Sequence, residues 1–274
     1  MNITVIIPVH EFDEKVGSFL DKAIESVLNQ KNLAEIPEIL IVSPLGLNGL
    51  IECCVKYNDD TFVAGRTPKV RLVNHEGKTD FQSQVNFGVE NVKTDYFSIL
   101  EFDDEYSTTY FKNASNYASF QPKTDIFLSM MVETDANNQG VKLTNETVWA
   151  QQFVGENGEV GFLNLNVLNQ YTDFKIAGAL IKTSEYKNIG GLKSNIKLAF
   201  NYEFLLRALN NASKIFSMPK IGYKHLAVRE GSLFDDYLKN MSLTERKFWF
   251  ETAKREANFL TDRVIDTTPL NKKV

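Results

Sequence analysis

Short apolar runs alternate with amphipathic stretches along the first 105 residues. Ile3–Val9 is an apolar run rich in β-branched residues, which predicts a buried strand. Apolar residues then recur every three or four positions up to Leu28 and predict a helix with one apolar face. Further strands are predicted at 38–43, 70–74 and 96–100, with helices at 47–55 and 81–92. Such alternation is typical of βαβ units, which build a mostly parallel sheet flanked by helices.

The pattern loosens beyond residue 105. The predicted elements are a helix from Ser107, a strand at 126–132, a mobile polar loop at 135–145, a strand from Ile176, a helix at 198–211 and irregular segments up to Ser232. A helical tail is predicted from residue 234 to about residue 264, with a capping box at Ser242–Glu245. We therefore expect an α/β protein that ends in helices.

Composition adds limits on compartment and chemistry. The chain has 274 residues, 43% of them hydrophobic, which is enough for one sizeable core. No stretch reaches membrane-spanning length and no basic segment precedes the first apolar run, so we expect a cytoplasmic protein without a transmembrane segment. The two cysteines, Cys53 and Cys54, are adjacent, which suits neither a structural disulfide nor a zinc site.

Charge is distributed unevenly. The net charge is −5, but acidic residues dominate positions 1–173 and basic residues dominate positions 174–274. This asymmetry could steer an anionic partner toward the C-terminal half. The alternative is that lysine-rich helices simply cover a solvated face.

The strongest candidate for chemistry is the acidic cluster Glu101–Glu105, which directly follows the strand predicted at 96–100. The carboxyl ends of parallel strands form the edge where ligands bind. Four carboxylates in five residues repel one another unless a cation offsets them, so a divalent site is predicted. In an extended segment Glu101 and Asp103 would share one side. The alternative is an acidic, solvated turn that caps the next helix.

Several motifs, in order, resemble family 2 glycosyltransferases. They are Ile6-Ile7-Pro8-Val9-His10, Gln84-Val85-Asn86-Phe87-Gly88 at the place of the family's Ala-Arg-Asn-x-Gly, Glu101-Phe102-Asp103-Asp104 at the place of its Asp-x-Asp, Ala177-Gly178-Ala179-Leu180, Gly190-Gly191-Leu192, Tyr202-Glu203 with Arg207, and His225 with Arg229-Glu230-Gly231-Ser232. The resemblance covers roughly residues 3–232. Each motif alone is weak, but their order and spacing are specific.

The resemblance implies a GT-A-type fold, similar to nucleotide-diphospho-sugar transferases. It implies a domain at 1–232, with a nucleotide-binding half at 1–105 and an acceptor half at 106–232, and a helical tail at 233–274. It also implies a hexosyl- or pentosyltransferase that moves a sugar, with inversion, from a nucleotide-diphosphate sugar to an acceptor hydroxyl. A UDP-sugar is the expected donor. The acceptor stays open between a glycan, a lipid phosphate and modified DNA.

The resemblance also assigns residues. It implies Mn²⁺ or Mg²⁺ held mainly by Asp103, with Glu101 and His225 completing the metal site. Glu203 would be the general base that takes the proton from the acceptor hydroxyl. The residues implied for donor binding are Pro8, His10, Glu11, Ser43, Asn86, Asp103 and Arg229.

The sequence departs from the family pattern at five places. Glu101 replaces an Asp, Ser43-Pro44 replaces an Asp that holds the nucleoside, Val85 replaces an Arg, Phe200-Asn201 replaces a Glu-Asp pair, and Arg229 replaces a His. The fourth departure leaves Glu203 as the carboxylate that could act as base. At the fifth, an arginine can neutralise a diphosphate but cannot bind a metal.

Alternatives to these assignments remain at this point. The chain could be a non-catalytic GT-A domain used as a binding or structural module, or a nucleotidyltransferase. Glu203 could pair with Arg207 one helical turn away, and His225 could be a structural residue. The aromatic tail around Trp249 could cover the core, form a homodimer contact through the C-terminal helices, or lie on a membrane.

Overall fold

A curled sheet of nine strands organises the residues that the computed structural model describes, which are 1–58, 70–77, 79–147, 161–227 and 229–263. The strands are β1 Ile3–Pro8, β2 Glu38–Pro44, β3 Val70–His75, β4 Tyr96–Ile99, β5 Glu105–Tyr106, β6 Ile126–Thr134, β7 Gly140–Thr144, β8 Leu180–Lys182 and β9 Ile215–Leu226. Their spatial order is β3-β2-β1-β4-β8-β6-β9-β5, and β7 pairs with β6. The predicted α/β class is confirmed.

Helices cover both faces of this sheet. They are α1 Glu14–Leu28, α2 Leu50–Val55 followed by a 3-10 turn at Lys56–Asn58, α3 Phe81–Glu90, α4 Tyr110–Phe120, α5 Leu165–Gln170, α6 Thr183–Asn188, α7 Phe200–Asn210, α8 Leu233–Asn240 and α9 Leu243–Glu256. No helix in these described ranges combines the length and apolar character that a membrane span requires.

The first four strands are parallel, as the apolar rhythm predicts. β1 pairs with β2 and β4, and β2 pairs with β3, all in parallel register. Successive residues of β1 face opposite sides, so Ile6 joins the core under α3 and α7 while Val5 and Ile7 join the core under α1 and α4. Gly88 of α3 lies so close to the sheet that an added Cβ would sit 2.8 Å from Ile6 Cγ2. This glycine therefore allows α3 to approach β1.

The second half of the sheet is mixed. β8 runs antiparallel to β4 and β6, whereas β9 runs parallel to β6 and antiparallel to β5. The predictions of a loop at 135–145 and of irregular structure before Ser232 were wrong, because these segments contain β7 and β9. In β9 an exposed stretch around Pro219 interrupts the buried positions, which hides the strand pattern. The predicted strand from Ile176 begins only at Leu180.

The C-terminal helices pack on the core. Ser242 caps α9 by accepting the Glu245 N–H at 3.2 Å, as the capping box predicts. Trp249 is 3% exposed and lies with Ala253 in the same apolar cluster as α7. The aromatic tail around Trp249 therefore packs on the core. Residues 264–274 of the tail lie outside the described ranges. The boundary at residue 232 and the homodimer contact stay predictions.

Candidate active site

The acidic cluster forms a tight turn at the end of β4, not an extended segment. The Asp104 N–H donates to the Glu101 carbonyl at 3.0 Å, which closes the turn. Phe102 is 4% exposed and anchors the turn in the core under α1 and α4. A closed turn brings its first and last residues together, so Glu101 lies beside Asp104 rather than sharing a side with Asp103. The strict alternation assumed from the sequence was wrong for this reason.

Three side chains meet above this turn. One potential ligand atom from each of Glu101, Asp104 and His225 lies within 4.8 Å of the others. His225 comes near the end of β9, and the pairing of Glu105 with Lys224 in β5 and β9 holds this strand beside the turn. The two carboxylate oxygens suit Mn²⁺ or Mg²⁺, and the imidazole nitrogen favours Mn²⁺, the transition metal of the two. The residues present therefore fit the divalent ion that the resemblance implies.

Asp104 is the centre of this group. It is 1% exposed, and its two oxygens accept the Leu226 N–H at 2.8 Å and contact His225 Nδ1 at 2.9 Å. Both contacts hold the end of β9 against the turn. The sequence assignment missed Asp104, although it lies within the predicted acidic cluster, because the turn was not foreseen.

Burial and crowding shift the acid–base properties of the group. Burial and then the charge of Asp104 raise the pKa of Glu101 to about 7. Burial alone would lower the pKa of His225, but the charge of Asp104 and the hydrogen bond to it raise this pKa to about 9. At neutral pH in the absence of metal, His225 is therefore protonated and acts as the counter-ion of Asp104.

Asp103 is held by Arg229 rather than by the three-residue group. Arg229 Nε donates to Asp103 Oδ2 at 2.6 Å, its guanidinium lies 5.0 Å from the Phe102 ring centroid, and its Nη1 is 3.7 Å from Glu11. Burial and the charge of Asp104 raise the pKa of Asp103, and Arg229 opposes this shift. The structure therefore brings the predicted residues Glu11, Asp103 and Arg229 together.

Glu101, Asp103, His225 and Arg229 line a cleft of about 440 Å³ at the carboxyl end of the sheet, and Asp104 lies just behind its lining, in contact with His225. Its polar side contains the predicted residues Pro8, His10, Glu101, Asp103, His225 and Arg229. Burial and the charge of Arg229 lower the pKa of His10, against the effect of Glu11. The lining also contains apolar residues at the starts of α3, α7 and α8, including Phe81, Phe200 and Phe234, which we refer to as the apolar side of the cleft. A cleft of this volume is within the usual range for a small-molecule site.

Glu203 does not lie in this cleft, which corrects its assignment as general base. Its carboxylate is 1% exposed and accepts two hydrogen bonds from Arg207, at 2.7 and 2.9 Å. Lys193 Nζ lies 3.4 Å from the same carboxylate. Arg207 in turn donates to the carbonyls of Ile189 and Gly191. An acceptor hydroxyl has no route to Glu203 in this arrangement, so the alternative pairing with Arg207 is the one present.

Three predicted donor-binding residues, Glu11, Ser43 and Asn86, lie outside the cleft lining. Glu11 contacts the lining residue Arg229, whereas Ser43 and Asn86 have partners elsewhere in the fold. Ser43 is fully buried and its hydroxyl accepts from the Asn74 side-chain amide at 3.1 Å. Asn86 donates to the Leu192 carbonyl at 2.7 Å and accepts from the Leu192 N–H and the Tyr186 hydroxyl. Asn86 therefore fixes the Gly190–Leu192 turn to α3. The positions of Ser43 and Asn86 do not support the prediction that these two residues bind the donor.

The fold is shared with solved glycosyltransferase structures. S. aureus TarS 1-349 in complex with UDP-GlcNAc matches with a TM-score of 0.62 and 18% identity, over 86% of this chain and 61% of that chain. The mannosyltransferase PcManGT from Pyrobaculum calidifontis, in complex with GDP-Man and Mn²⁺, matches with a TM-score of 0.62 and 11% identity, over 94% of this chain and 69% of that chain. In the complex with UDP-GlcNAc, the match thus covers less than two thirds of the TarS chain.

Sequence comparison gives the family directly. None of the curated proteins matches the sequence. The family model described as "Glycosyl transferase family 2" matches residues 4–178, a segment that contains β1 to β4, the acidic turn and Gly178. This segment is well over half of the chain, and the chain therefore belongs to glycosyl transferase family 2.

Proposed function

We propose that this protein transfers a sugar from a nucleotide-diphosphate sugar to an acceptor hydroxyl, with inversion at the sugar carbon. The observation that carries the proposal is the convergence of Glu101, Asp104 and His225 within 4.8 Å of one another, with Glu101 and His225 lining the same cleft as Arg229. This arrangement offers a divalent cation site and a guanidinium, both of which suit a diphosphate. Membership of the family supports the same reaction.

The donor would lie along the polar side of the cleft. Glu101, Asp104 and His225 would hold Mn²⁺ or Mg²⁺, which when bound neutralises the diphosphate as it leaves. Arg229 would bind the diphosphate after exchanging its contact with Asp103, and Asp103 would then face the donor or the cation. Pro8, His10 and Glu11 would flank the nucleotide. The complexes of TarS with UDP-GlcNAc and of PcManGT with GDP-Man support a nucleotide-hexose donor.

We propose Asp235 as the general base in place of Glu203. Four carboxylates line the described part of the cleft, and Asp80 accepts the backbone N–H and the hydroxyl of Ser83, at 2.9 and 2.8 Å. Glu101 and Asp103 belong to the acidic turn. Asp235, which is 7% exposed, pairs with the exposed Lys239 at 2.6 Å. An ion pair with an exposed lysine is weak, so Asp235 can exchange it for an acceptor hydroxyl.

The acceptor would enter along the apolar side. Lys197 is exposed at the cleft, with its Nζ 6.0 Å from the Trp249 ring centroid, and would meet a negative group on the acceptor. This position supports an anionic glycan, a lipid phosphate or modified DNA as the acceptor. The proposal also includes a UDP-sugar as the donor and a homodimer through α8 and α9.

Donor turnover tests the proposed reaction. Incubated with a panel of UDP-, GDP- and TDP-sugars and Mn²⁺, the chain should release nucleoside diphosphate slowly by hydrolysis. Pyrophosphate release would indicate nucleotidyl transfer instead. Nucleotide binding with no release, even with candidate acceptors present, would favour a binding module.

The role of Asp235 has its own test. Asp235→Asn should keep nucleotide and metal affinity but lower the rate of donor hydrolysis by about 100-fold or more, the usual size of general-base assistance. Lys239→Gln is the matched control, since it removes the partner and keeps the carboxylate, and its rate should stay within a few-fold of wild type. An Asp235→Asn variant with the wild-type rate would exclude Asp235 as the base.

A further inference from the structure

Three buried tyrosines lie behind the acidic turn. Tyr106, Tyr110 and Tyr223 are each at most 5% exposed, and we refer to them as the tyrosine cluster. The rings of Tyr106 and Tyr110 stack at a centroid distance of 4.6 Å, and Tyr223 meets Tyr106 edge-on at 5.4 Å. The metal-binding assignment uses none of these residues.

The three hydroxyl groups have different partners. The Tyr106 hydroxyl bonds with Ser98 Oγ at 2.6 Å, and the Tyr110 hydroxyl donates to the Gly178 carbonyl at 2.6 Å. The Tyr223 hydroxyl oxygen accepts the backbone N–H of Glu101 at 3.0 Å. Within the cluster, Tyr223 is thus the member whose described hydroxyl contact is with the acidic turn.

The ring of Tyr223 is held firmly in place. Gly178 packs against it with φ +67°, and an added Cβ there would lie well inside contact distance of the ring. The Gly178 N–H donates to the Ile99 carbonyl at 2.8 Å, which fixes Gly178 beside the end of β4. A rigid ring places the hydroxyl at a fixed distance from Glu101.

Tyr223 also lies two residues before His225 on β9, so their side chains project from the same face of the sheet. Strand β9 therefore carries the proposed metal ligand His225 and also Tyr223, which holds the backbone of a second proposed ligand, Glu101. We propose that Tyr223 is a positioning residue, which sets the distance of Glu101 from His225 and Asp104 through the Glu101 N–H. This inference rests on the proposed metal site.

Groups that orient metal ligands typically contribute about 10–100-fold to metal affinity. Tyr223→Phe removes only the hydroxyl oxygen, keeps the ring packing and leaves the Glu101 N–H without its acceptor. We expect Mn²⁺ to bind the variant about tenfold more weakly, because the turn is no longer held in its binding geometry.

The experiment compares Mn²⁺ binding by electron paramagnetic resonance in the wild-type chain, Tyr223→Phe and the matched control Tyr106→Phe. Tyr106→Phe deletes a hydroxyl from the same cluster without touching the turn, so its Mn²⁺ affinity should stay within about twofold of wild type. Equal affinities in the two variants would overturn the positioning role while leaving the metal site intact. A wild-type chain that binds no Mn²⁺ would overturn the metal site itself and this inference with it.

A measurement on the wild-type chain keeps the inference testable if Tyr223→Phe does not fold. Since metal binding and the Glu101–Tyr223 hydrogen bond would stabilise each other, saturating Mg²⁺ should slow hydrogen exchange of the Glu101 amide at least about tenfold. An exchange rate that Mg²⁺ leaves unchanged would overturn the positioning role.

Discussion

The acidic turn and the buried Glu203–Arg207 pair are both candidate sites of chemistry in the sequence, but they differ in how their charges are satisfied. Glu203 has two hydrogen bonds from Arg207 and a second cation, Lys193, at 3.4 Å, all without solvent access. In the acidic turn, Asp103 and Asp104 have one cationic partner each, Arg229 and His225, and both partners line the open cleft. A carboxylate can bind a ligand only if its present partners can leave, and only the turn meets this condition.

Removing the Glu203 charge should have the largest effect on stability. Glu203→Gln leaves Arg207 and Lys193 buried without their counter-ion, and breaking such a pair costs about 3–5 kcal/mol. Urea unfolding should show this loss, while Mn²⁺ affinity of the folded variant stays at the wild-type value. Glu251→Gln, which breaks the exposed pair with Lys254, is the control and should barely change the midpoint. A stable Glu203→Gln variant without activity would restore Glu203 as a catalytic candidate.

The opposite pattern is expected for Asp104. Asp104→Ala removes a proposed ligand and the partner of His225, and Mn²⁺ affinity should fall by about 100-fold or more, beyond the usual effect of groups that only orient ligands. Isothermal titration calorimetry with Mn²⁺ measures the change. Asp125→Ala, which removes a carboxylate paired with Lys182 at 3.0 Å and outside the group of Glu101, Asp104 and His225, is the control and should keep the wild-type affinity. Unchanged affinity in Asp104→Ala would remove Asp104 from the site.

The sequence predicted the fold well where strands are buried on both faces. Continuous apolar runs such as Ile3–Val9 mark β1, β2 and β4 without help from the rest of the chain. β9 was missed because three exposed residues around Pro219 divide its buried positions, and its place in the sheet depends on pairing with β6, which lies far away in sequence. Pairing between strands that lie so far apart in the sequence cannot be predicted from the local pattern of apolar and polar residues.

The candidate site was predicted in place but not in detail. The position of Glu101–Asp104 after a buried strand located the cleft, since the carboxyl ends of parallel strands meet there. Asp104 was missed because a single backbone hydrogen bond turns the segment. Glu203 was misassigned because spacing along a helix shows that Arg207 is near, but not whether both side chains are buried.

Changing pH should sharpen the contrast between the two regions. The pKa of Glu101 is raised to about 7 and that of His225 to about 9, so both groups hold protons that a bound cation must displace. Mn²⁺ affinity should therefore rise with pH, by roughly tenfold per unit between pH 7 and 8 and more steeply below pH 7. Calorimetry in buffers of different ionisation enthalpy would also detect the released protons. An affinity that is constant from pH 6 to 8 would contradict this assignment.

The smallest effect is expected at Ser43. Its hydroxyl already accepts from Asn74 and is fully buried, so, like Glu203, it is satisfied within the fold. Ser43→Ala should cost about 0.5–1.5 kcal/mol of stability, the usual value of one hydrogen bond. UDP affinity should change less than about threefold, measured by calorimetry with Mn²⁺ present. A large loss of UDP affinity would place Ser43 back in the nucleotide site.

The contact between Arg229 and Asp103 has a consequence for how nucleotide and cation influence each other's binding. A lone cation that enters the cleft meets a carboxylate already neutralised by a guanidinium and gains little from it. A nucleoside diphosphate offers Arg229 a second anion. When the Arg229 guanidinium turns toward the phosphate, the Asp103 carboxylate becomes available to the accompanying cation. Bound nucleotide would then strengthen the cation site that Glu101, Asp104 and His225 already form, and the cation would strengthen nucleotide binding in return.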